Sequence, residues 1–288
     1  MQRLAVEEDM KMALAKRLTL ALGLLAPSAW GAQGDVVVYV PGMGGTAETA
    51  RPYLEKFCAT LEQPLGWPKG SCQGQYFEDP ILAKDYIAKA QPGFGMVSAA
   101  VYLDQACVKG AEVEPLAGVV LVGRSATTRY HVVVKDPALK SLDDLKGKRL
   151  ISNHLGNPKF LSRVLFGGKI DAPSHFKLEP TKSPLKPFKA LDRGEAESAL
   201  VDDNQLAEAK GLPFGAQLKV VFSSEPVTPF PVVAFGKVAK PAVREAMRKT
   251  LLGLCGGSPE VCKALQVARF EALSPTAFQA AAASYCKP

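Results

Sequence analysis

Short apolar runs alternate along this chain with stretches whose apolar positions recur at helical spacing. Residues 35–40, DVVVYV, are apolar and β-branched and stop at Pro41-Gly42, which predicts a buried strand. Comparable strands are predicted around 75–77, 95–98, 119–123, 130–135, 148–152, 176–180, 197–201, 218–222 and 231–235. Between them, Leu54, Phe57 and Leu61 share one helical face behind Thr46, a residue suited to cap that helix, and residues 81–90 read as a further helix. Pro241, Pro259 and Pro275 each stand where a helix can begin, because the first helical position needs no amide hydrogen, and residues 277–285 predict an Ala-rich amphipathic last helix. Strand and helix in alternation predict an α/β protein with mostly parallel sheets, whose ligands gather beyond the carboxyl ends of the strands.

Residues 141–163, SLDDLKGKRLISNHLGNPKFLSR, hold this pattern in its most complete form. Ser141 and Asp144 have capping-box spacing, Gly147 stops the turn, and Lys148 to Ser152 make a strand. The loop Asn153-His154-Leu155-Gly156 then leads to Asn157 as N-cap, with Pro158 at the first position of a helix running to about Phe166. Free amides and the positive end of the helix dipole make that corner suited to an anion, although most such corners bind only water. Ser98 lies at another strand-to-helix corner, and Asp202-Asp203 closes a strand. Asp202 reads equally as a ligand contact or a helix cap, and Asp203 as a cap.

Residues 12–32 carry basic Lys16 and Arg17, an apolar run at 18–26 and small residues near a cut after Gly31 or Ala32, the pattern of an export signal. The run is shorter than the about 20 apolar residues that span a bilayer. Acidic Glu7-Glu8-Asp9 upstream suggests a start at Met10 or Met12. Loss of residues 1–32 removes four basic residues and three acids, taking the net charge from +7 to +6, which mildly favours anionic ligands. The basic residues are scattered, so nucleic acid is not an expected partner.

Cys58, Cys72, Cys107, Cys255, Cys262 and Cys286 all lie beyond the signal, and an even number of cysteines in an exported chain predicts disulfides. Fifteen pairings are possible. Spacing favours Cys255 with Cys262 and Cys58 with Cys72, leaving Cys107 with Cys286. No CxxC occurs and His131, His154 and His175 lack ligand spacing, so no metal or cofactor is expected. Residues 42–47 fit GxGxxA, but the ribose-binding acid of a dinucleotide fingerprint should follow about 20 residues on, whereas the next strand, around 75–77, ends in Glu78-Asp79, more than thirty positions after Gly42. No GxSxG elbow is present, and no enzymatic activity is expected.

The segment TTRYHVVVKDPALKSLDDLKGKRL (127–150), with a later strand ending at Val201-Asp202, resembles the type II periplasmic solute-binding proteins of ABC importers. PGMGGTAETARPYLEKF near the start and FEALSP before the last helix resemble the phosphate, phosphite and phosphonate branch. The resemblance implies two α/β lobes, residues 33–123 with 229–288 and residues 124–228, joined by two crossovers. It implies a soluble periplasmic monomer that holds a small anionic ligand in the cleft and delivers it to an inner-membrane ABC permease. An exported sensory or adaptor protein, or an enzyme on the same fold, is the alternative. The expected ligand residues are Thr46, Ser98, Ser152, Asn153, His154, Asn157 and Asp202. At 152–157 the chain departs from the branch, which carries adjacent Ser/Thr hydroxyls there; one hydroxyl, two amides and an imidazole take their place.

Overall fold

The computed structural model describes residues 34–40, 45–236 and 238–287; the expected export signal and residues 41–44 lie outside the described residues. The strands are β1 (Asp35–Tyr39), β2 (Gln73–Tyr76), β3 (Phe94–Val97), β4 (Val113–Leu121), β5 (Tyr130–Val134), β6 (Arg149–Ser152), β7 (Lys177–Pro180), β8 (Ser198–Asp202), β9 (Lys219–Ser223), β10 (Pro231–Phe235) and β11 (Val267–Glu271). The helices are α1 (Ala47–Glu62), α2 (Pro80–Ala90), α3 (Ala99–Ala106), α4 (Pro158–Phe160), α5 (Ala172–His175), α6 (Lys186–Asp192), α7 (Asp203–Ala209), α8 (Pro241–Gly257), α9 (Pro259–Ala264) and α10 (Gln279–Tyr285).

Two sheets result. One has the order β11-β4-β10-β3-β1-β2 and the other β7-β6-β8-β5-β9. The interior strands β3, β5, β8 and β10 are buried at every residue, and their few polar members, His131, Ser198 and Asp202, are buried with them. The edge strands β2, β7 and β9 carry the exposed polar positions. Each sheet is mixed and not mostly parallel as expected: β1, β2 and β3 run parallel, as do β6, β7 and β8, while β10, β4 and β11 and the pairings of β5 are antiparallel. The cause is the path of the chain. It leaves the first sheet after β4 and returns only at β10, entering from the cleft side and so running against β3.

The two passages between sheets lie side by side. Thr128 and Val227 exchange backbone hydrogen bonds of 2.9 Å each, and the Arg129 guanidinium donates to the Ser224 carbonyl at 2.7 Å. The crossings thus form a two-stranded neck. Above it, one cluster of buried apolar side chains draws on both sheets, with Val37, Tyr39 and Ala99 from one side and Tyr130, Leu155 and Phe160 from the other.

Three local readings change. β4 begins at Val113, well before 119, because residues 113–117 pair with β10, and Glu114 there is met by Arg244 and Arg248. The helix after Asn157 widens at once into a π-helical turn over Leu161–Leu165, where the Ser162 hydroxyl bonds back to the Pro158 carbonyl at 2.9 Å. Pro275 opens only turns, and the last helix starts at Gln279. Around 141–152 the reading holds: Asp144 accepts from the amides of Lys140 and Ser141 and from the Ser141 hydroxyl, and Gly147 has φ 72°.

Three disulfides join Cys58 to Cys72, Cys107 to Cys286 and Cys255 to Cys262. The second fastens the C-terminal helix to α3 in the first sheet's lobe, and Phe278 packs against Tyr102 with ring centroids 4.6 Å apart and the rings tilted by 55°. The opposite side of α10 reaches the second lobe. Ser284 donates to the Arg163 carbonyl at 2.6 Å, and the Tyr285 hydroxyl meets both Asp104 and Asn157. The C-terminus is therefore a third tie between the lobes.

Acid stability follows from paired carboxylates. The side chain of Arg149 holds Glu197 below its ordinary 4.5, and the Lys140 amide with the Ser141 hydroxyl holds Asp144 below 3.8. Because these folded-state values lie below the unfolded ones, the stability they lend is whole above about pH 4.5 and is lost as pH falls through the lower folded values. A Glu197→Gln variant is expected to melt earlier than the parent at neutral pH and to lose less on acidification, checked by thermal unfolding followed by circular dichroism from about pH 7 to pH 3.

Candidate functional site

The cleft narrows to a cavity of about 40 Å³, against the ~10–15 Å³ that one water needs. Its first wall comes from the carboxyl ends of β1 and β3. Tyr39 closes β1, and Ser98, directly after β3, caps α3 by accepting the Val101 amide at 3.3 Å. The Ala99 amide is taken by the Pro229 carbonyl at 2.8 Å, while that of Ala100 has no partner among the described residues. Lys84, from α2, stands at the edge, paired with Asp104.

The second wall is the loop after β6 and the start of β5. Asn153, His154, Gly156 and Asn157 line it, with Tyr130 beneath. Asn157 caps α4 by accepting the Phe160 amide at 2.9 Å and donates its own amide protons to Asp104 and Tyr285, both at 3.0 Å. Ser152 is fully buried and accepts the His154 amide at 2.9 Å, shaping the loop from behind.

Three polar groups on these walls have no hydrogen-bond partner within the described residues: the Tyr39 hydroxyl, the Tyr130 hydroxyl and His154 Nδ1. Tyr39 is 6% exposed, Tyr130 8%, and the His154 side chain 8%. These atoms open on the cavity, and polar atoms left without a protein partner there are available to a ligand or to water. Burial, with Asp79 and Tyr76 adding to it, lifts Tyr39 to about 12, and burial with Asp202 lifts Tyr130 further, so both hydroxyls keep their protons and can donate.

Asp202 has both carboxylate oxygens engaged by the protein. It caps α7, with Oδ1 accepting the Gln205 amide at 2.8 Å, while Oδ2 accepts from Arg124 in the first crossing at 2.9 Å. The Gln205 side chain completes the box by accepting the Asp202 amide at 3.0 Å, and it also accepts His154 Nε2 at 2.9 Å. Asp203 is no cap: it accepts from the Arg129 amide, the Thr128 hydroxyl and His131, and so fixes the neck. Burial lowers His154 from its ordinary 6.5 despite the opposing pull of Asp202 and Gln205, and the ring is neutral.

Of the residues singled out from sequence, Ser98, Asn153, His154 and Asn157 meet at the cavity, and Ser152 and Asp202 stand one step behind it. Thr46 does not join them. It is exposed and its side chain is engaged in a capping box with Thr49. Tyr39, Lys84, Tyr130 and Gln205 escaped the sequence reading; Tyr39 and Tyr130, at the end and start of apolar strands, could have been found by asking why a strand with no need of a hydroxyl carries one.

Two mixed sheets, a paired neck and a polar cavity between lobes define a type II periplasmic binding protein. The family model for the ABC transporter phosphonate periplasmic substrate-binding protein matches residues 95–278. The chain belongs to this family. Among solved structures, XAC2383 from Xanthomonas citri bound to ATP is similar at 15% identity, covering 88% of this chain and 97% of that one, with a TM-score of 0.66. A binding component of an ABC phosphonate transporter from Pseudomonas aeruginosa (PA3383) is similar at 15% identity, 84% and 82% coverage and TM-score 0.57. PhnD1 from Prochlorococcus marinus in complex with methylphosphonate is similar at 16% identity, 86% and 95% coverage and TM-score 0.56. No curated protein matches. Among the described residues no helix is long and apolar enough to cross a membrane, and no group of three or more His, Cys, Asp or Glu is placed to hold a metal ion.

Because Asp202 both caps α7 and pairs with Arg124, Asp202→Ala is expected to lower stability by about 1–3 kcal/mol in denaturant unfolding. Asp202→Asn, which keeps a capping oxygen, is expected to lose less than Asp202→Ala.

Proposed function

We propose that this protein captures a small oxyanion of the phosphonate or phosphate type between its lobes and delivers it to an ABC permease. The observation that carries this reading is the group of partnerless polar atoms on the cavity, Tyr39 Oη, Tyr130 Oη and His154 Nδ1, beside the Ala100 amide at the start of α3. Tyrosine hydroxyls, an amide at a helix N-terminus, the Ser98 hydroxyl and the Asn153 amide are donors spread around one point, which suits a ligand with several oxygens. The size of the cavity suits a tetrahedral group with a small substituent. The hydroxyl run that the loop lacks is replaced in this reading by the two tyrosines.

The proposed lobes are residues 33–123 with 229–288 and residues 124–228, turning about the Thr128–Val227 pair. Ligand contacts from both walls would favour the closed state, since only differential affinity moves such an equilibrium. The protein would act in the periplasm as a monomer once its leader is removed.

A thermal-shift screen with methylphosphonate, phosphite, phosphate, glutamate and arginine tests the ligand class. One of the first three at 100 times its dissociation constant is expected to stabilise by about 2.7 kcal/mol. Tyr39→Phe and Tyr130→Phe are each expected to weaken that ligand about tenfold in calorimetry. Stabilisation by none of the three, or unchanged affinity in both variants, contradicts the proposal.

A further inference from the structure

The hydrogen bonds behind His154 fix which of its nitrogens carries the proton. Gln205 Nε2 faces two carbonyl oxygens, Asn153 Oδ1 at 3.0 Å and the Pro184 carbonyl at 3.1 Å, and must donate to both. Its Oε1 faces the Asp202 backbone N–H at 3.0 Å and accepts from it. The amide cannot be turned over without setting donor against donor and oxygen against oxygen. His154 Nε2, 2.9 Å from that same Oε1, must therefore be the protonated nitrogen. Nδ1 of the neutral ring is left as a bare lone pair, and it has no donor among the described residues.

The other acceptors near the cavity are committed. Asp202 is spent on the α7 cap and Arg124; Asp104 on Lys84, Tyr285 and Asn157; Asn157 Oδ1 on the Phe160 amide; Asn153 Oδ1 takes Gln205. The remaining polar groups on the walls can all donate. A fully ionised phosphonate has only oxygen lone pairs to offer and would turn one of them on Nδ1. A singly protonated one offers a P–OH to that nitrogen and its other oxygens to the donors.

We infer that His154 is a specificity-determining acceptor that selects the protonated monoanion of a phosphonate-type ligand, RPO₂(OH)⁻, over the dianion and over sulfonates, which have no proton to give. The inference rests on the ligand class proposed above and adds the protonation state. The charged and titratable groups around the ring are Asp202, whose Oδ2 is 3.8 Å from Nε2, Arg124 beyond it, Tyr130 edge-on at 5.0 Å between ring centroids, and Tyr39 and Lys84 on the facing wall. Asp202 attracts a second proton, but burial outweighs it and keeps the ring neutral, so the proton stays on the ligand.

Calorimetry with methylphosphonate and methanesulfonate from about pH 6 to pH 9, in buffers of different ionisation enthalpy, combined with ¹⁵N-histidine NMR of the saturated complex, tests this. Apparent affinity for methylphosphonate is expected to fall about tenfold per pH unit above the ligand's second ionisation, with one proton taken up. Methanesulfonate is expected to bind about 100-fold more weakly at the low-pH end. His154 is expected to show a protonated Nε2 and an unprotonated Nδ1 in the complex, and His154→Gln, whose amide can donate, to flatten the pH dependence and narrow the sulfonate discrimination. A flat affinity profile for methylphosphonate, or an imidazolium signature for His154 in the complex, overturns the inference while leaving the ligand class standing. Absence of binding by methylphosphonate, phosphite and phosphate at every pH overturns the ligand class and this inference with it.

Discussion

Asp202 places both of its carboxylate oxygens on the protein, and the rest of the site depends on that. One oxygen and the reciprocal Gln205 bond start α7, and the other holds Arg124 of the first crossing. Gln205, fixed by that box, reaches across to Asn153 and His154 and so sets the loop after β6. A helix cap, a contact to the first crossing and the orientation of a candidate ligand residue are thus one hydrogen-bonded chain. The two bonds between Asp202 and Gln205 are buried, where an unmade bond is most costly, and the links to Arg124, Asn153 and His154 are part-buried.

The lobes are joined by more than their two crossings. The disulfide from Cys107 to Cys286 fastens the last helix to α3, and Tyr285 then meets Asp104 of the first lobe and Asn157 of the second at one hydroxyl. Asn157 is both the cap of α4 and part of the cavity wall, so the C-terminal tie ends at the site itself. Burial and the Asp104 carboxylate raise Tyr285 well above its ordinary 10.0, which keeps that bridging proton in place.

Much of the plan was legible from residue patterns because it is local. Apolar runs at 35–40 and 231–235 located central strands, and Asn157-Pro158 located a cap. The mixed direction of the sheets was not, since it depends on where the chain re-enters a sheet after some hundred residues. The site was half legible. Ser98, Asn153, His154 and Asn157 sit at strand-to-helix corners, which have a sequence signature. Tyr39 and Tyr130 sit inside apolar strand patterns, where a tyrosine is indistinguishable from core until its hydroxyl is seen without a partner. Asp202 could be read as cap or ligand, and only the positions of Gln205 and Arg124 decide in favour of the cap.

The central claim is that a small oxyanion is held where Tyr39, Tyr130, His154 and the start of α3 converge. A crystal structure of the mature protein grown with methylphosphonate tests it most directly. The account predicts density for the ligand in that cavity, with its oxygens within hydrogen-bonding distance of both tyrosine hydroxyls and the Ala100 amide. Ligand density elsewhere in the cleft, with the two hydroxyls still without a partner, would contradict it.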